Sequence, residues 1–306
     1  MCRNPCAVIH PDCDAAFFHI WVVGGFGVDI AGRRDACGPA ERGLSIRIMN
    51  TPVIKAAPHF VPTGRRLVFE TLPSTNTWAL EHLNELGHGD VVWARRQTGG
   101  RGRLGRMWSA MEGGGLTCSV VLRDPSLTPI AANLGQMMAC AVVDSLGSFG
   151  IAGMVKWPND VMVDDGKMAG VLVEQGQACG DYVVGVGINV NLTEGDLKGF
   201  GLDRPAASMR TVAGRCYDVE AVLADLLTRF SDWMGKVRCD GLDSLWAAWS
   251  KHDWLAARPI RVLGVEGAVE GVYLGVDELG RLRLRLGSGV EERYWTGDVE
   301  RVKIQR

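Results

Sequence analysis

The sequence predicts an α+β fold: a mixed sheet with helices on one face, followed by a small C-terminal β-barrel. Short connections join the apolar strands between residues 155 and 191, which implies antiparallel pairing. Amphipathic stretches near 128–146 and 218–236 supply the helices. After Pro259 only short strand-like segments remain, as in a separate β domain.

The first patterned elements follow residue 66. Residues 67–69 form a predicted strand, and Ser74, Thr75 and Asn76 are N-cap candidates for a helix that ends at Gly87. The next predicted elements are a strand at 90–94, a glycine- and arginine-rich loop at 97–106, a strand at 116–122 and a helix beginning near Thr128-Pro129.

The second half of the chain alternates turns and strands before a helix. Strands are predicted around Val155 and at 161–163, 167–174 and 182–191, with a turn at Asp164-Asp165-Gly166. The alternation of Arg and Leu over 281–286 marks a strand of the last domain. We therefore expect a poorly patterned segment at 1–62, a central domain at 63–257 and a β-barrel at 258–306.

The N-terminal segment mixes Gly, Pro, Cys and paired Arg without sustained periodicity. One hypothesis is that the natural start is Met49 and that the residues before it are not native. The segment lacks a helix-turn-helix pattern, so no DNA-binding domain is expected. The spacing of Cys2, Cys6, His10 and Cys13 fits no structural zinc pattern, and no metal site is predicted.

Composition excludes several classes of protein. The 306 residues carry 33 basic and 35 acidic side chains, which leaves no electrostatic footprint for nucleic acid. The longest apolar run, at 15–28, is interrupted by His19 and glycines and is shorter than the ~20 residues that a membrane helix needs. Nine cysteines form no CxxC pair, and Cys118, Cys140 and Cys179 are interpreted as buried thiols in a reducing cytoplasm.

The loop Gly99-Gly-Arg-Gly-Arg-Leu-Gly-Arg106, followed by Trp108, is the first segment that indicates chemistry. Glycines allow backbone N–H groups to approach a phosphate, and arginines supply fixed cations. The spacing also matches the GxGxxG pattern of dinucleotide sites, but residues 107–115 show no apolar helical stripe. The arginines therefore favour an anion-binding loop over a dinucleotide fold or a solvated linker.

Two lysine-containing segments follow. In Lys156-Trp-Pro-Asn-Asp160, the aspartate is predicted to hold Lys156 or a metal, or simply to cap a turn. In Lys167-Met-Ala-Gly170, a lysine begins an apolar strand after a tight turn, which places an ammonium group beside the sheet.

Together the segments GGRGRLGRMW, KWPNDV, KMAGVLVE and GVGINVN, in this order, resemble biotin protein ligase, and the resemblance extends from residue 67 to the C-terminus. It implies a class II synthetase-like catalytic domain at 63–257, an SH3-like C-terminal barrel, and a form that lacks the DNA-binding domain of some relatives. It also implies an ATP-dependent biotin–[acetyl-CoA-carboxylase] ligase, which makes biotinyl-5′-AMP and pyrophosphate and then biotinylates one lysine of a carrier protein.

The resemblance also implies roles for individual residues. Lys167 and Arg103 are expected to act in catalysis, and Lys167 is the strongest candidate. The implied biotin-binding residues are Ser74, Thr75, Asn76, Gln97, Arg101, Gly102, Arg103 and Lys167. The implied ATP- or adenylate-binding residues are Arg103, Arg106, Trp108, Lys156, Asp160 and Asn189. Leu104 replaces a basic residue of many relatives, which bears on ligand affinity.

The implied cofactors and partners follow from the same resemblance. They are ATP with Mg²⁺, biotin as substrate, and a biotin carboxyl carrier protein or domain of acetyl-CoA carboxylase or a related carboxylase, in the cytoplasm. A homodimer is allowed, whereas nucleic acid and membrane are not expected. The alternatives are a lipoate or octanoate ligase or transferase of the same fold, a module that binds biotinyl-AMP without turnover, and a nicotinamide-dependent oxidoreductase.

Overall fold

The computed structural model describes residues 64–108, 113–200, 204–256, 258–264 and 267–302. Residues 1–62, with the proposed start at Met49, lie outside the described residues. The first seven strands are β1 (Arg66–Leu72), β2 (Val91–Gln97), β3 (Gly115–Arg123), β4 (Met154–Lys156), β5 (Asp160–Val163), β6 (Gly166–Gln175) and β7 (Asp181–Asn189). They form one sheet in the order β1-β2-β3-β7-β6-β5-β4. Only β1 and β2 pair in parallel among these neighbours, so the mixed sheet is confirmed.

Six α-helices accompany the strands in the described residues: α1 (Thr75–Glu81), α2 (Leu134–Ser148), α3 (Glu194–Gly199), α4 (Met209–Ala213), α5 (Val219–Asp240) and α6 (Asp243–Lys251). Ser74 caps α1 by accepting a hydrogen bond from the backbone N–H of Thr77. The helix ends well before the predicted Gly87, and a 3₁₀ turn follows it. Likewise, the segment that begins at Pro125 is 3₁₀ until Asn133, with Pro129 inside it, and α2 starts only afterwards.

Helices cover both faces of the sheet. The long helices α2 and α5 pack with the larger apolar core on one face, as predicted. The short helix α1 lies on the opposite face, where Ala79 packs with Val92, Val121 and Val183 in a second, smaller core. The prediction of helices on one face therefore holds for the long helices, and the short helix α1 also covers part of the other face. Because β7 is central and covered on both faces, every one of its residues is buried.

The segment Pro125–Ser148 is longer and more apolar than the sequence analysis expected. It has 24 residues and contains an 18-residue stretch with a mean hydropathy of 1.3, so by length and composition alone it could cross a membrane. In the folded chain, 61% of that 18-residue stretch is buried inside the protein, and Met137, Met138 and Val142 belong to the main core. Packing of α2 against the sheet and α5 accounts for this apolarity.

The C-terminal domain is a five-stranded antiparallel sheet, which confirms the predicted small β domain. Its strands are β8 (Pro259–Gly264), β9 (Gly267–Val276), β10 (Leu282–Arg285), β11 (Glu291–Tyr294) and β12 (Asp298–Arg301), in the order β11-β10-β9-β8-β12. The turn between β9 and β10 contacts the central domain, because the Gly280 carbonyl accepts hydrogen bonds from Trp157 Nε1 at 3.0 Å and Gln136 Nε2 at 2.9 Å. The predicted domain boundaries stay predictions.

The cysteine predictions hold in part. Cys118 and Cys140 are buried and free, and burial raises the pKa of the Cys118 thiol to about 12. Cys179 is exposed, so its predicted burial is wrong. It lies in the connection between β6 and β7, outside the strands that form the core.

A buried carboxyl group joins the two sheets and predicts a pH effect on stability. Asp253 Oδ2 accepts a hydrogen bond from Tyr273 Oη at 2.7 Å, and Oδ1 accepts one from the Leu255 N–H at 2.9 Å. Burial raises the Asp253 pKa to about 6, despite these hydrogen bonds. The native state therefore binds more protons than the unfolded state between pH ~4 and ~6. Ionisation of Asp253 therefore lowers the free energy of unfolding as pH rises through that window.

Asp253→Asn is expected to remove this pH dependence. Relative to the parent protein, the variant should gain up to about 3 kcal/mol in unfolding free energy as pH rises from ~4 to ~7. Urea unfolding of both proteins at several pH values measures the difference directly. A difference that stays constant over this range would contradict the assignment.

Candidate active site

A cavity of about 450 Å³ lies where the central sheet, the glycine–arginine loop and the start of β12 meet. Its size is that of a small-molecule pocket. All predicted site residues border it: Ser74, Thr75, Asn76, Gln97, Arg101, Gly102, Arg103, Arg106, Trp108, Lys156, Asp160, Lys167 and Asn189. The chain thus brings together residues that are more than a hundred positions apart.

One end of the cavity is built from neutral polar side chains at the start of α1. Gln97 Oε1 accepts hydrogen bonds from the Thr75 N–H at 2.7 Å and from Thr75 Oγ1 at 3.1 Å. Ser119 Oγ is 2.7 Å from Thr75 Oγ1 and 2.6 Å from Asn76 Oδ1. Such a network fixes side-chain orientation before a ligand arrives.

Asn76 is held more tightly than the sequence indicated. Its Nδ2 donates to the Leu172 carbonyl at 3.1 Å and to Glu174 Oε2 at 2.9 Å. Both amide hydrogens therefore have protein partners. Asn76 orients the neutral end of the cavity, and Glu174 is a contributor that the sequence analysis missed.

Two glycines of β7 make room for the side chains above the sheet. A Cβ atom on Gly185 would lie 2.1 Å from Asn76 Oδ1. A Cβ atom on Gly187 would lie 2.3 Å from Cε2 of Trp108. The alternating glycines of the GVGINVN segment are therefore explained by close approach of Asn76 and the indole ring to the strand.

The glycine–arginine loop folds back on itself over the cavity. The Trp108 N–H donates to the Gly100 carbonyl at 2.9 Å, and the Gly102 N–H donates to the Arg106 carbonyl at 2.7 Å. Leu104 (φ 56°) and Gly105 (φ 72°) both adopt left-handed conformations at the tip. A non-glycine residue in that region is strained, as is common in functional loops.

Each arginine of the loop has a different partner. Arg101 forms an ion pair with Glu174, with Nη2 2.9 Å from Oε1. Arg103 donates to Asn159 Oδ1 at 3.3 Å and to Thr296 Oγ1 at 2.8 Å. Burial lowers the Arg103 pKa from its ordinary value, which indicates a poorly solvated guanidinium that an anion would stabilise. Arg106 pairs with Asp298.

Lys167, and not Lys156, is the partner of Asp160. Lys167 Nζ lies 2.6 Å from Asp160 Oδ1 and 5.7 Å from the ring centroid of Trp108. Of the three interpretations left open for Asp160, pairing with Lys156 is therefore wrong, because Lys156 instead lies over the ring of Trp254, with Nζ 5.4 Å from the centroid. Burial lowers the Lys156 pKa, although nearby Asp160 opposes this shift.

The main chain fixes the position of Lys167. Its N–H donates to the Pro205 carbonyl at 2.9 Å, and its carbonyl accepts from the Ala207 N–H at 3.0 Å. Asn189 Nδ2 donates to the carbonyls of Lys167 at 3.3 Å and Ala207 at 2.9 Å. Asn189 lines the cavity, and its side-chain amide mainly holds the strand that carries Lys167 in place.

Further polar residues at or beside the cavity were not predicted, among them Asn159, Arg204, Thr296 and Asp298. Asn159 lies within the KWPND segment, so this motif could have identified it. Arg204 and Thr296 occupy irregular segments before α4 and β12, and Asp298 is the first residue of β12; neither periodicity nor a motif marks any of the three. In the described part of the chain, no group of three or more His, Cys, Asp or Glu residues could hold a metal ion.

The chain is similar to known proteins along most of its length. Residues 68–191 match the family model described as the biotin/lipoate A/B protein ligase family. The biotin–[acetyl-CoA-carboxylase] ligase of Paracoccus denitrificans is 34% identical over 222 residues, which cover 71% of this chain and 92% of that protein. The bifunctional ligase/repressor BirA of Bacillus subtilis is 31% identical over 244 residues, which cover 78% of this chain and 74% of that protein.

Solved structures agree with the sequence relatives. The biotin protein ligase of Aquifex aeolicus in complex with biotin and ATP superposes with a TM-score of 0.69 at 27% identity, over 78% of this chain and 99% of that one. The fold is thus shared along most of both molecules. The chain therefore belongs to the biotin/lipoate A/B protein ligase family and, within it, to the biotin protein ligase enzymes.

Proposed function

We propose that this enzyme activates biotin with ATP to biotinyl-5′-AMP and then transfers the biotinyl group to a lysine of a carrier protein. The observation that carries this proposal is the polarity of the cavity, which has a neutral hydrogen-bonding end and a cationic end. Its lining has six cationic side chains (Arg101, Arg103, Arg106, Lys156, Lys167 and Arg204) and two carboxylates (Asp160 and Asp298). Such an excess suits a carboxylate and a triphosphate bound together.

In the first step, a biotin carboxylate oxygen attacks the α-phosphorus of ATP. The bond from that phosphorus to the bridging oxygen breaks, and pyrophosphate leaves with the electron pair. No proton needs to move, so the barrier is lowered mainly by holding two anions together and stabilising the charge on the phosphoryl oxygens. Lys167 and Arg103, the proposed catalytic residues, supply cations for this purpose.

In the second step, the neutral amine of the carrier lysine attacks the carbonyl carbon of biotinyl-5′-AMP. The bond to the phosphate oxygen breaks, AMP leaves, and the new amide nitrogen loses one proton. Because water attacks the same carbonyl, the loop at residues 99–106 must also exclude solvent from the mixed anhydride.

The remaining residues bind the two substrates. Ser74, Thr75 and Gln97 offer neutral donors and acceptors to the ureido ring of biotin, while Asn76 orients them. Arg101 and Gly102 close the biotin side. Trp108 packs against adenine, and the adenylate contacts Arg106, Lys156, Asp160 and the strand braced by Asn189. The indole position above Gly187 supports this arrangement, since a flat aromatic surface there faces the cavity.

Mg²⁺ is expected to accompany ATP, but the residues present do not form a protein site for it. Asp160 and Asp298 are the carboxylates at the cavity, and each already pairs with a cation. Phosphate oxygens and water are the ligands that Mg²⁺ commonly takes in such sites. We assign no step of the reaction to the ion.

The acceptor that we propose is a biotin carboxyl carrier protein or domain of acetyl-CoA carboxylase or a related carboxylase. The Paracoccus denitrificans relative has acetyl-CoA carboxylase in its name. We place the reaction in the cytoplasm, because the described cysteines are free thiols. A homodimer stays a prediction.

Isothermal titration of biotin, lipoate and octanoate, each with and without ATP and Mg²⁺, tests the proposal. We expect biotin alone to bind, and ATP to convert it to a slowly released product with the mass of biotinyl-5′-AMP. Binding of lipoate or octanoate without biotin would favour the other branch of the family. A tight adenylate that is never passed to an added carrier would instead indicate a binding module.

A further inference from the structure

The C-terminal sheet touches the glycine–arginine loop through the turn between β11 and β12 and through the start of β12. Thr296 Oγ1, in the turn, accepts a hydrogen bond from Arg103 at 2.8 Å, and Asp298, the first residue of β12, pairs with Arg106. Both arginines belong to the loop that covers the cavity. The described C-terminal domain therefore does more than pack against the central domain: it holds the loop at two points.

Asp298 is the centre of this contact. Its Oδ1 accepts a hydrogen bond from Arg204 Nη1 at 2.9 Å and one from the Val299 N–H at 3.0 Å. Its Oδ2 lies 2.5 Å from Arg204 Nη2 and also accepts from Arg106. One carboxylate thus joins three parts of the chain, namely the loop, the segment before α4, and the C-terminal sheet.

The charge of Asp298 is secured by these partners. Burial alone would raise its pKa, and the carboxyl group is only 13% exposed. The hydrogen bonds from Arg204 and Arg106 nevertheless hold the pKa well below its usual range. The bridge is therefore present at any pH at which the enzyme would work, and charge-assisted hydrogen bonds of this kind are the stronger ones.

The proposed chemistry has no role for this carboxylate. Adenylation brings anions together, so an additional negative charge beside the cationic end does not assist it. If Asp298 lost its charge, Arg204 would keep Glu300, whose Oε1 lies 3.2 Å away. Arg106 has no second ion-pair partner among the described residues and is 49% exposed. The loop would thus lose its ion pair with the C-terminal sheet, whereas the segment before α4 would keep one between Arg204 and Glu300.

We propose that Asp298 is a positioning residue, which fastens the glycine–arginine loop to the C-terminal sheet and so sets how long the adenylate stays bound. The statement that the bound ligand is the adenylate rests on the proposed function, whereas the statement that Asp298 fastens the loop does not. Opening of the loop is the step that releases ligand, and the bridge must break for that step to occur. Weakening the bridge therefore accelerates release.

The experiment compares Asp298→Asn with Glu300→Gln, a control on the same strand that removes a carboxylate from Arg204 and leaves the loop contact intact. Thr296→Val is a milder second variant, which removes only the hydrogen bond to Arg103. Hydrogen exchange of residues 99–108 is measured in each ligand-free protein. Dissociation of preformed biotinyl-5′-AMP is then followed by stopped flow.

In Asp298→Asn we expect faster exchange across the loop and about ten-fold faster adenylate dissociation. Thr296→Val should accelerate dissociation by about two- to three-fold, and Glu300→Gln should match the parent protein in both measurements. Unchanged loop exchange in Asp298→Asn and Thr296→Val, or equal acceleration by Glu300→Gln, would overturn the proposal. If the parent protein forms no adenylate, the proposed function fails, and exchange in the ligand-free proteins still decides whether Asp298 fastens the loop.

Discussion

Replacing Lys167 by alanine is expected to lower the rate of biotinyl-5′-AMP formation by about a thousand-fold. The ammonium group is held close to Gly170 and to the indole ring of Trp108. Its Nζ lies 5.7 Å from the centroid of Trp108, and a Cβ atom on Gly170 would lie 3.1 Å from it. The ammonium therefore lies between the two proposed substrate regions. Removing it takes away one of the two cations that we propose to stabilise the developing charge on the α-phosphate.

Weaker substrate binding alone should not account for the loss of rate in Lys167→Ala. Its main chain is hydrogen-bonded to Pro205 and Ala207, and its Nζ pairs with Asp160 Oδ1 at 2.6 Å, so the side chain is oriented before any ligand binds. The neutral end of the cavity is built by other residues, and biotin affinity should fall by less than about ten-fold. Single-turnover measurements with excess enzyme separate the chemical step from binding.

Two further variants sharpen the Lys167 test. Lys198 is 79% exposed and pairs with Glu194 on the surface, so Lys198→Ala should leave the rate within about two-fold of the parent protein. Lys167→Arg keeps the charge but spreads it over a planar group, and it should restore only part of the rate. A Lys167→Ala enzyme that retains a third or more of the parent rate would remove this residue from the catalytic role.

Much of the fold followed from periodicity, but helix ends did not. The sequence predicted one helix from Ser74 to Gly87, and the chain forms α1 and then a 3₁₀ turn at Leu83–Glu85. The leucines of both parts face the sheet, so the apolar pattern continues although the helix does not. Periodicity reports which side chains are buried, and it is less informative about the backbone that buries them.

The candidate site divides in a similar way. Motif resemblance located the residues that border the cavity, whereas ion pairs across the fold were out of reach. Lys156 and Lys167 are both close to Asp160 in sequence, and only the tertiary structure selects Lys167 as its partner. Asp298 is nearly two hundred residues from Arg106, and no local pattern indicates that they meet.

Gly185→Ala is expected to weaken biotin binding by at least about a hundred-fold, since it disturbs the neutral end of the cavity. The added Cβ atom would lie 2.1 Å from Asn76 Oδ1, a distance that no relaxed structure permits. Asn76 is buried, and its amide donates to Leu172 and Glu174, so it moves only if these hydrogen bonds break. Thr75 and Ser119 would then lose their alignment as well.

Gly235→Ala is the matched control for this substitution. Gly235 lies within α5, and a Cβ atom there meets nothing within 4 Å. Alanine at an open helical position should stabilise the protein by about 0.5–1 kcal/mol and leave biotin binding unchanged. Titration of biotin and thermal unfolding of both variants distinguish a local effect at β7 from a general effect of adding a methyl group.

A double substitution tests whether Asn76 transmits the effect of Gly185→Ala. If the clash with the amide is the cause, Asn76→Ala removes the obstructing atoms, and Gly185→Ala should then add little further loss. The two changes would be strongly non-additive, as expected for residues in direct contact. Full additivity of the two losses in biotin affinity would show that Gly185 acts through another neighbour, although the three atoms nearest to the added carbon all belong to Asn76.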